Sequence, residues 1–350
     1  MKKNLLLIAL LAAVIVVAYL VLRKDRDSSL TDRLDTDFSV EDTAAINKII
    51  ITEMNGKIAV LDRPIRGGRW KLNNKYDARK DATDLIMYTL HEMRIRGPVA
   101  NAARENVLRV MASAGKRVEI FQGGDKPIKT IYIGHTTQDH TGTYMLLETP
   151  DGGRSDIPYV MHIEGFTGFL SSRFFADELE WRYTGIFDYP ELDYKSFRYI
   201  VPTLLDQSFE ISYTGGNNIR MRGGFNGQSF TQEISTFDTV KVKDLLVRLK
   251  KVHIESYNTM LKPAAQDSIR QVIPFVQMSV VDKNDVETSL NLYQKRAVKT
   301  HYDDQGQLNP FDLEYYWART MQDEFALAQR FVFDPLTYPL GYYLQATSIE

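Results

Sequence analysis

The stretch Ile46-Asn47-Lys48-Ile49-Ile50-Ile51-Thr52-Glu53-Met54-Asn55-Gly56-Lys57-Ile58-Ala59-Val60-Leu61 decides the fold. Ile46 to Thr52 is apolar and β-branched, Asn55-Gly56 is a tight-turn pair, and Lys57 to Leu61 alternates. That pattern reads as strand, turn, strand. Outward from it, Arg69-Trp70-Lys71-Leu72 after Gly67-Gly68 reads as a third strand. Asp81 precedes a helix whose apolar positions Ile86, Met87, Leu90 and Met93 recur at helical spacing and stop at Gly97-Pro98. A second, shorter helix carries Val107, Leu108 and Met111 and ends near Gly115. Strands are expected at Val118–Phe121, Ile128–Ile133, Tyr144–Leu147 and Tyr159–Ile163.

The second half repeats this order. Phe197–Val201 and Ser208–Ile211 stand where the first two strands stood. Leu245, Leu246, Leu249, Val252 and Ile254 lie 159 positions beyond Ile86, Met87, Leu90, Met93 and Ile95. Ala264-Ala265, Ile269, Val272 and Ile273 match Ala102-Ala103, Val107, Val110 and Met111, and strands Val276–Val280 and Ser289–Leu292 answer Val118–Ile120 and Thr130–Ile133. Gly165–Leu170 has a fainter echo in Pro335–Leu340. A conserved order of elements is the mark of an internal repeat. The expected fold is therefore α+β, two tandem copies of a strand-rich module with two helices each, preceded by one transmembrane helix. The modules are expected at 41–185 and 186–345, after an anchor at 1–26 and a polar stalk at 27–40.

The anchor is the run Leu5–Leu22, with Lys2 and Lys3 before it and Arg23, Lys24 and Arg26 after it. A helix of that length reaches about 27 Å, close to the thickness of the hydrocarbon core of a bilayer. A cleaved signal peptide begins in the same way, but the run is longer than a signal core and no small-x-small pattern lies near Tyr19 to Arg23. Lys and Arg flank both ends, so charge alone leaves orientation open. A short N-terminal tail followed by a large domain favours a single pass through a bacterial inner membrane with the bulk periplasmic.

Beyond residue 26, 38 Lys and Arg face 44 Asp and Glu, a formal charge of −6. That balance argues against nucleic acid, whose binding rests on cationic contacts to phosphate. Cysteine is absent, so the chain has no disulfide, thiol chemistry or lipidated cysteine.

Chemistry-bearing residues are sparse. The loop Gly134 to Thr143 holds His135, Asp139 and His140, which are metal-ligand types without the spacing that defines a zinc site. His162 is a conceivable third ligand. The alternative is a polar hairpin loop in which Gly142 supplies a positive φ. Asp303-Asp304, Asp177-Glu178-Glu180 and Asp323-Glu324 read as exposed acidic turns, and Gly223–Gly227 lacks the following helix of a phosphate cradle. No Gly-x-Ser-x-Gly elbow occurs, so no catalytic residue and no cofactor is assigned. Aromatics are the remaining signal: Tyr315, Trp317, Tyr338, Tyr342 and Tyr343 are candidate partner-binding residues, with core packing as the competing account.

Asp37–Thr43, Ile46–Ile49, Trp70, Tyr76, Ala78–Asp81, Gly142–Met145, Ile163–Leu170, Arg173-Phe174 and Glu180–Arg182 resemble domain-of-unknown-function family 4340. The resemblance is clearest over residues 37–190 and weaker to about 340. It implies a bacterial protein with one N-terminal membrane helix, encoded beside ABC transporter parts of the gliding-motility-auxiliary kind, and it carries no catalytic residue. Three functional expectations follow. The first is a membrane-tethered, non-enzymatic accessory protein of the envelope, with an ABC transporter as partner. The second is an extracytoplasmic glycan- or lipid-binding module. The third is a metal-dependent hydrolase built on the His135 loop.

Overall fold

The computed structural model describes residues 36–216, 218–257, 260–302 and 305–345, without the side chains of Thr300 and His301. Leu5–Leu22, residues 27–35 of the stalk and Asp303-Asp304 lie outside the described residues. Among the described residues no helix is long and apolar enough to cross a membrane. The fold is mixed α+β with sheet dominant. It divides into two compact units between Tyr183 and Thr184, where the sequence suggested 185 and 186.

The first unit runs β1 (Lys48–Glu53), β2 (Ile58–Asp62), β3 (Lys71–Leu72), β4 (Tyr76–Asp77), α1 (Lys80–Glu92), β5 (Met93–Pro98) and α2 (Asn101–Ala114). It continues with β6 (Lys116–Phe121), β7 (Lys129–Thr136), β8 (Thr143–Thr149), β9 (Gly153–Arg154), β10 (Tyr159–Ile163) and α3 (Glu178–Trp181). The sheet order is β4-β3-β2-β1-β6-β7-β8-β10-β5, with β9 on β8. Period-two alternation sets its faces. Ile49 and Ile51 of β1 are opposite Leu61 and Ala59 of β2, and opposite Ile120 and Val118 of β6, all on one buried face. Ile86 and Leu90 of α1, one helical turn apart, pack on that face.

The opposite face takes α2. Met145 and Leu147 of β8 join the α1 side, while Leu146 between them joins Val107 and Met111 of α2. Gly134 of β7 allows the close approach, because a Cβ there would lie 2.6 Å from Met111 Cγ. One expectation is corrected here: α1 ends at Glu92, and Met93–Pro98 is an edge strand on β10. Met93 satisfies both periods. The Arg94-Ile95-Arg96 alternation then belongs to the strand.

The second unit runs β11 (Gly185–Phe187), β12 (Tyr194–Ile200), β13 (Phe209–Tyr213), β14 (Ile219–Phe225), β15 (Phe230–Ile234), α4 (Thr239–Arg248), β16 (Val252–His253) and β17 (Ser256–Tyr257). Then come α5 (Pro263–Arg270), β18 (Val276–Asp282), β19 (Glu287–Tyr302), β20 (Leu308–Thr320), β21 (Phe325–Gln329), α6 (Arg330–Phe333) and α7 (Leu340–Tyr343). Its sheet order is β15-β14-β13-β12-β18-β19-β20-β21-β17. Element for element this is the order of the first sheet, edge strand included. Phe197 and Tyr199 occupy the central buried positions and share one core with Val242, Leu245 and Leu246 of α4 and Leu249 just after it.

Each unit is closed by the same backbone contact. Ala78, just before α1, bridges Arg182, and Arg79 N–H donates to the Trp181 carbonyl at 2.8 Å. In the second unit Phe237 bridges Leu344, and Asp238 N–H donates to the Tyr343 carbonyl at 2.8 Å. Both aromatic side chains are buried. The closing contact is made through α3 in the first unit and α7 in the second. Trp181 also donates its indole N–H to the Phe175 carbonyl at 2.6 Å, and Tyr343 packs edge-on against Phe209. Trp181→Ala and Tyr343→Ala are each expected to destabilise their own unit by about 3–5 kcal/mol, as large buried aromatics do on truncation. Urea unfolding followed by hydrogen exchange per unit measures both.

Candidate functional site

The His135 loop joins β7 to β8 as a self-contained polar turn. The Asp139 carboxylate accepts from the hydroxyls of Thr137 at 2.5 Å and Thr141 at 2.6 Å, and from Thr141 N–H at 3.2 Å. Those bonds hold it well below the usual carboxylate range, and Arg96 adds a weaker attraction. His140 carries the positive φ, +55°, that the sequence assigned to Gly142. Gly142 is required for space: a Cβ there would lie 2.5 Å from Val160 Cγ1. His135 leans on the Tyr144 ring, and His162 sits on β10 opposite Arg94. Among the described residues no group of three or more His, Cys, Asp or Glu is placed to hold a metal ion.

The acidic clusters have structural partners. Asp177 caps α3 through Leu179 N–H and pairs with Lys57. Glu178 accepts from Asn73, and Asp323 pairs with Arg270. Phe230–Ile234 after the glycine-rich turn is a strand, as expected. On the outer face of the second sheet, Glu210 is 3% exposed between Arg198 and Arg222, a carboxylate with its charge already matched.

The candidate aromatics separate. Tyr343 is 1% exposed and belongs to the core, which removes it from the docking residues. Tyr338 and Tyr342 stack at 4.2 Å and are about 40% exposed, with Lys241 over the Tyr342 ring. Tyr315 is half-buried on β20. Trp317 lines a groove of about 690 Å³ between α5 and the β19–β20 ribbon.

That groove marks the main difference between the units. Helix α2 has 14 residues and buries Val107 and Met111, whereas α5 has 8 and buries none. Val272 and Ile273, expected as core counterparts of Val110 and Met111, fall after the end of α5 and are 57% and 64% exposed. Strands β19 and β20 have 16 and 13 residues, against 8 and 7 in β7 and β8, so the ribbon continues past the sheet. Ile269, Val272 and Ile273 form one wall; Tyr293, Phe311 and Trp317 form the other. Lys295 and Arg296 are the charged residues lining it. Tyr293 is 3% exposed, and its hydroxyl and the Gln294 Oε1 are buried without a hydrogen-bond partner. Burial raises the phenol pKa.

Sequence reasoning reached Trp317 but missed Tyr293 and Gln294, because the strand was read only as Ser289–Leu292. The available signal was the polar and aromatic run continuing past Leu292. No family model matches the chain, and neither does any curated protein or solved structure.

Lys295 and Asp312 pair across the ribbon, each 16% exposed. Burial pushes the Asp312 carboxyl up, but Lys295 and the N–H groups of Glu314 and Tyr315 pull it down further, leaving it below its ordinary value. A depressed carboxyl stabilises the fold above its unfolded pKa and loses that contribution as pH falls. Amide protection factors, corrected for the intrinsic exchange rate, are expected to fall across residues 293–302 and 305–314 on acidification below about pH 4, the ordinary carboxylate value. Asp312→Asn should remove that pH dependence.

Proposed function

We propose that the protein is a membrane-tethered, non-enzymatic accessory protein of the bacterial envelope, built from two tandem copies of one module, with an ABC transporter as its partner. The observation that carries the binding reading is the projecting ribbon. Val298, Tyr302, Leu308 and Leu313 on it are 52–91% exposed. A contiguous group of exposed apolar side chains marks an interaction surface, and Tyr302 and Leu308 are direct cross-strand partners. The shared strand order and the repeated closing contact support duplication. Leu5–Leu22 supports the tether, and the resemblance to family 4340 supports the transporter partner. The groove favours a second reading, an extracytoplasmic module binding a lipid rather than a glycan, since its walls are mainly aliphatic and aromatic.

Crosslinking in intact cells followed by mild detergent extraction is expected to recover a second membrane protein, and Val298→Ser with Leu308→Ser should weaken that recovery at least several-fold. Isolation of the protein alone overturns the accessory reading. Orientation is tested with one introduced cysteine. Ser155 is a poor position, being 9% exposed with its hydroxyl bonded to the Ile157 backbone. Asp125, in the exposed turn between β6 and β7, is better. Asp125→Cys should react with an impermeant maleimide once the outer membrane is permeabilised; reaction only after the inner membrane is breached overturns the periplasmic placement.

A further inference from the structure

We infer that the groove between α5 and the β19–β20 ribbon takes the single acyl chain of a free fatty acid, with the carboxylate held between Tyr293 and Arg296. The inference rests on the binding reading of the second module and names its ligand.

Three observations select this occupant. The first is size: the groove encloses about 690 Å³. The cavity volume lies within the range of about 300–1,000 Å³ typical of small-molecule sites. The second is lining. Ile269, Val272, Ile273, Phe311 and Trp317 offer apolar contact along both sides, as a methylene chain requires.

The third is the polar complement. The charged lining residues are cationic, Lys295 and Arg296, and Lys295 is already paired with Asp312. Arg296 makes no ion pair among the described residues and faces outward on the ribbon. Tyr293, Gln294, Lys295 and Arg296 all line the groove, and the strand pairing shifts register between Gln294 and Arg296. The Tyr293 hydroxyl is a donor without a partner, and a carboxylate oxygen is an acceptor it can satisfy. An aliphatic groove with a buried donor and a cationic rim is complementary to an anionic head on an apolar tail.

The chain's three tryptophans supply the readout: Trp70 and Trp181 are in the first unit, and Trp317 lines the groove. Full-length protein in phosphatidylcholine nanodiscs is titrated with a dibrominated stearic acid, whose bromines quench nearby indole. Saturable quenching is expected, abolished in Trp317→Phe, while Ser268→Phe, an exposed position on the groove wall, should fill the space and raise the half-saturating concentration at least tenfold. Tyr293→Phe, which keeps the ring, should weaken binding about tenfold, as loss of a hydrogen bond to a charged group does. Absence of saturable quenching, quenching unchanged by Ser268→Phe, or equal binding of the methyl ester each overturns the proposal. Circular dichroism of every variant checks the fold. Partner recovery by crosslinking is read separately, so failure of the fatty-acid site and failure of the accessory reading are distinguishable.

Discussion

Burial of one face of a central strand organises each unit. Ile49 and Ile51 in the first, and Phe197 and Tyr199 in the second, are pressed between two neighbouring strands and a helix. Each such side chain contributes about 1.5–3 kcal/mol of burial. A slip of one residue would turn all of them to the other face. Register, helix placement and the position of the edge strands all follow from that alternation.

The same plan then diverges on its outer face. In the first unit α2 is long enough to cover the outer face of the sheet, helped by the missing side chain at Gly134. In the second, α5 stops early and the lengthened β19–β20 ribbon stands beside it. Apolar residues that would have closed a core instead line a groove. A buried phenol without a partner is costly in a closed protein interior, and the Tyr293 hydroxyl is such a group at the groove wall.

The polar loops are explained by local chemistry. Asp139 satisfies hydroxyls and an N–H of its own turn, and Asp177 caps a helix while pairing with Lys57. A carboxylate engaged in this way stabilises a bend. Such turns look like ligand clusters in one dimension because the same short polar side chains serve both purposes.

By itself, the amino-acid sequence determined the mixed α+β character, the hairpin at Asn55-Gly56 and the second helix ending at Gly115, since these rest on local periodicity and turn chemistry. It also marked Leu5–Leu22 as apolar enough to span a bilayer and Trp317 as worth attention. Only the tertiary structure decided that Met93–Pro98 pairs as a strand, that Tyr343 is core, and that Tyr293 and Gln294 lie beside Trp317. Those outcomes depend on which distant strand or helix covers a residue, and a residue's neighbours along the chain carry no record of that.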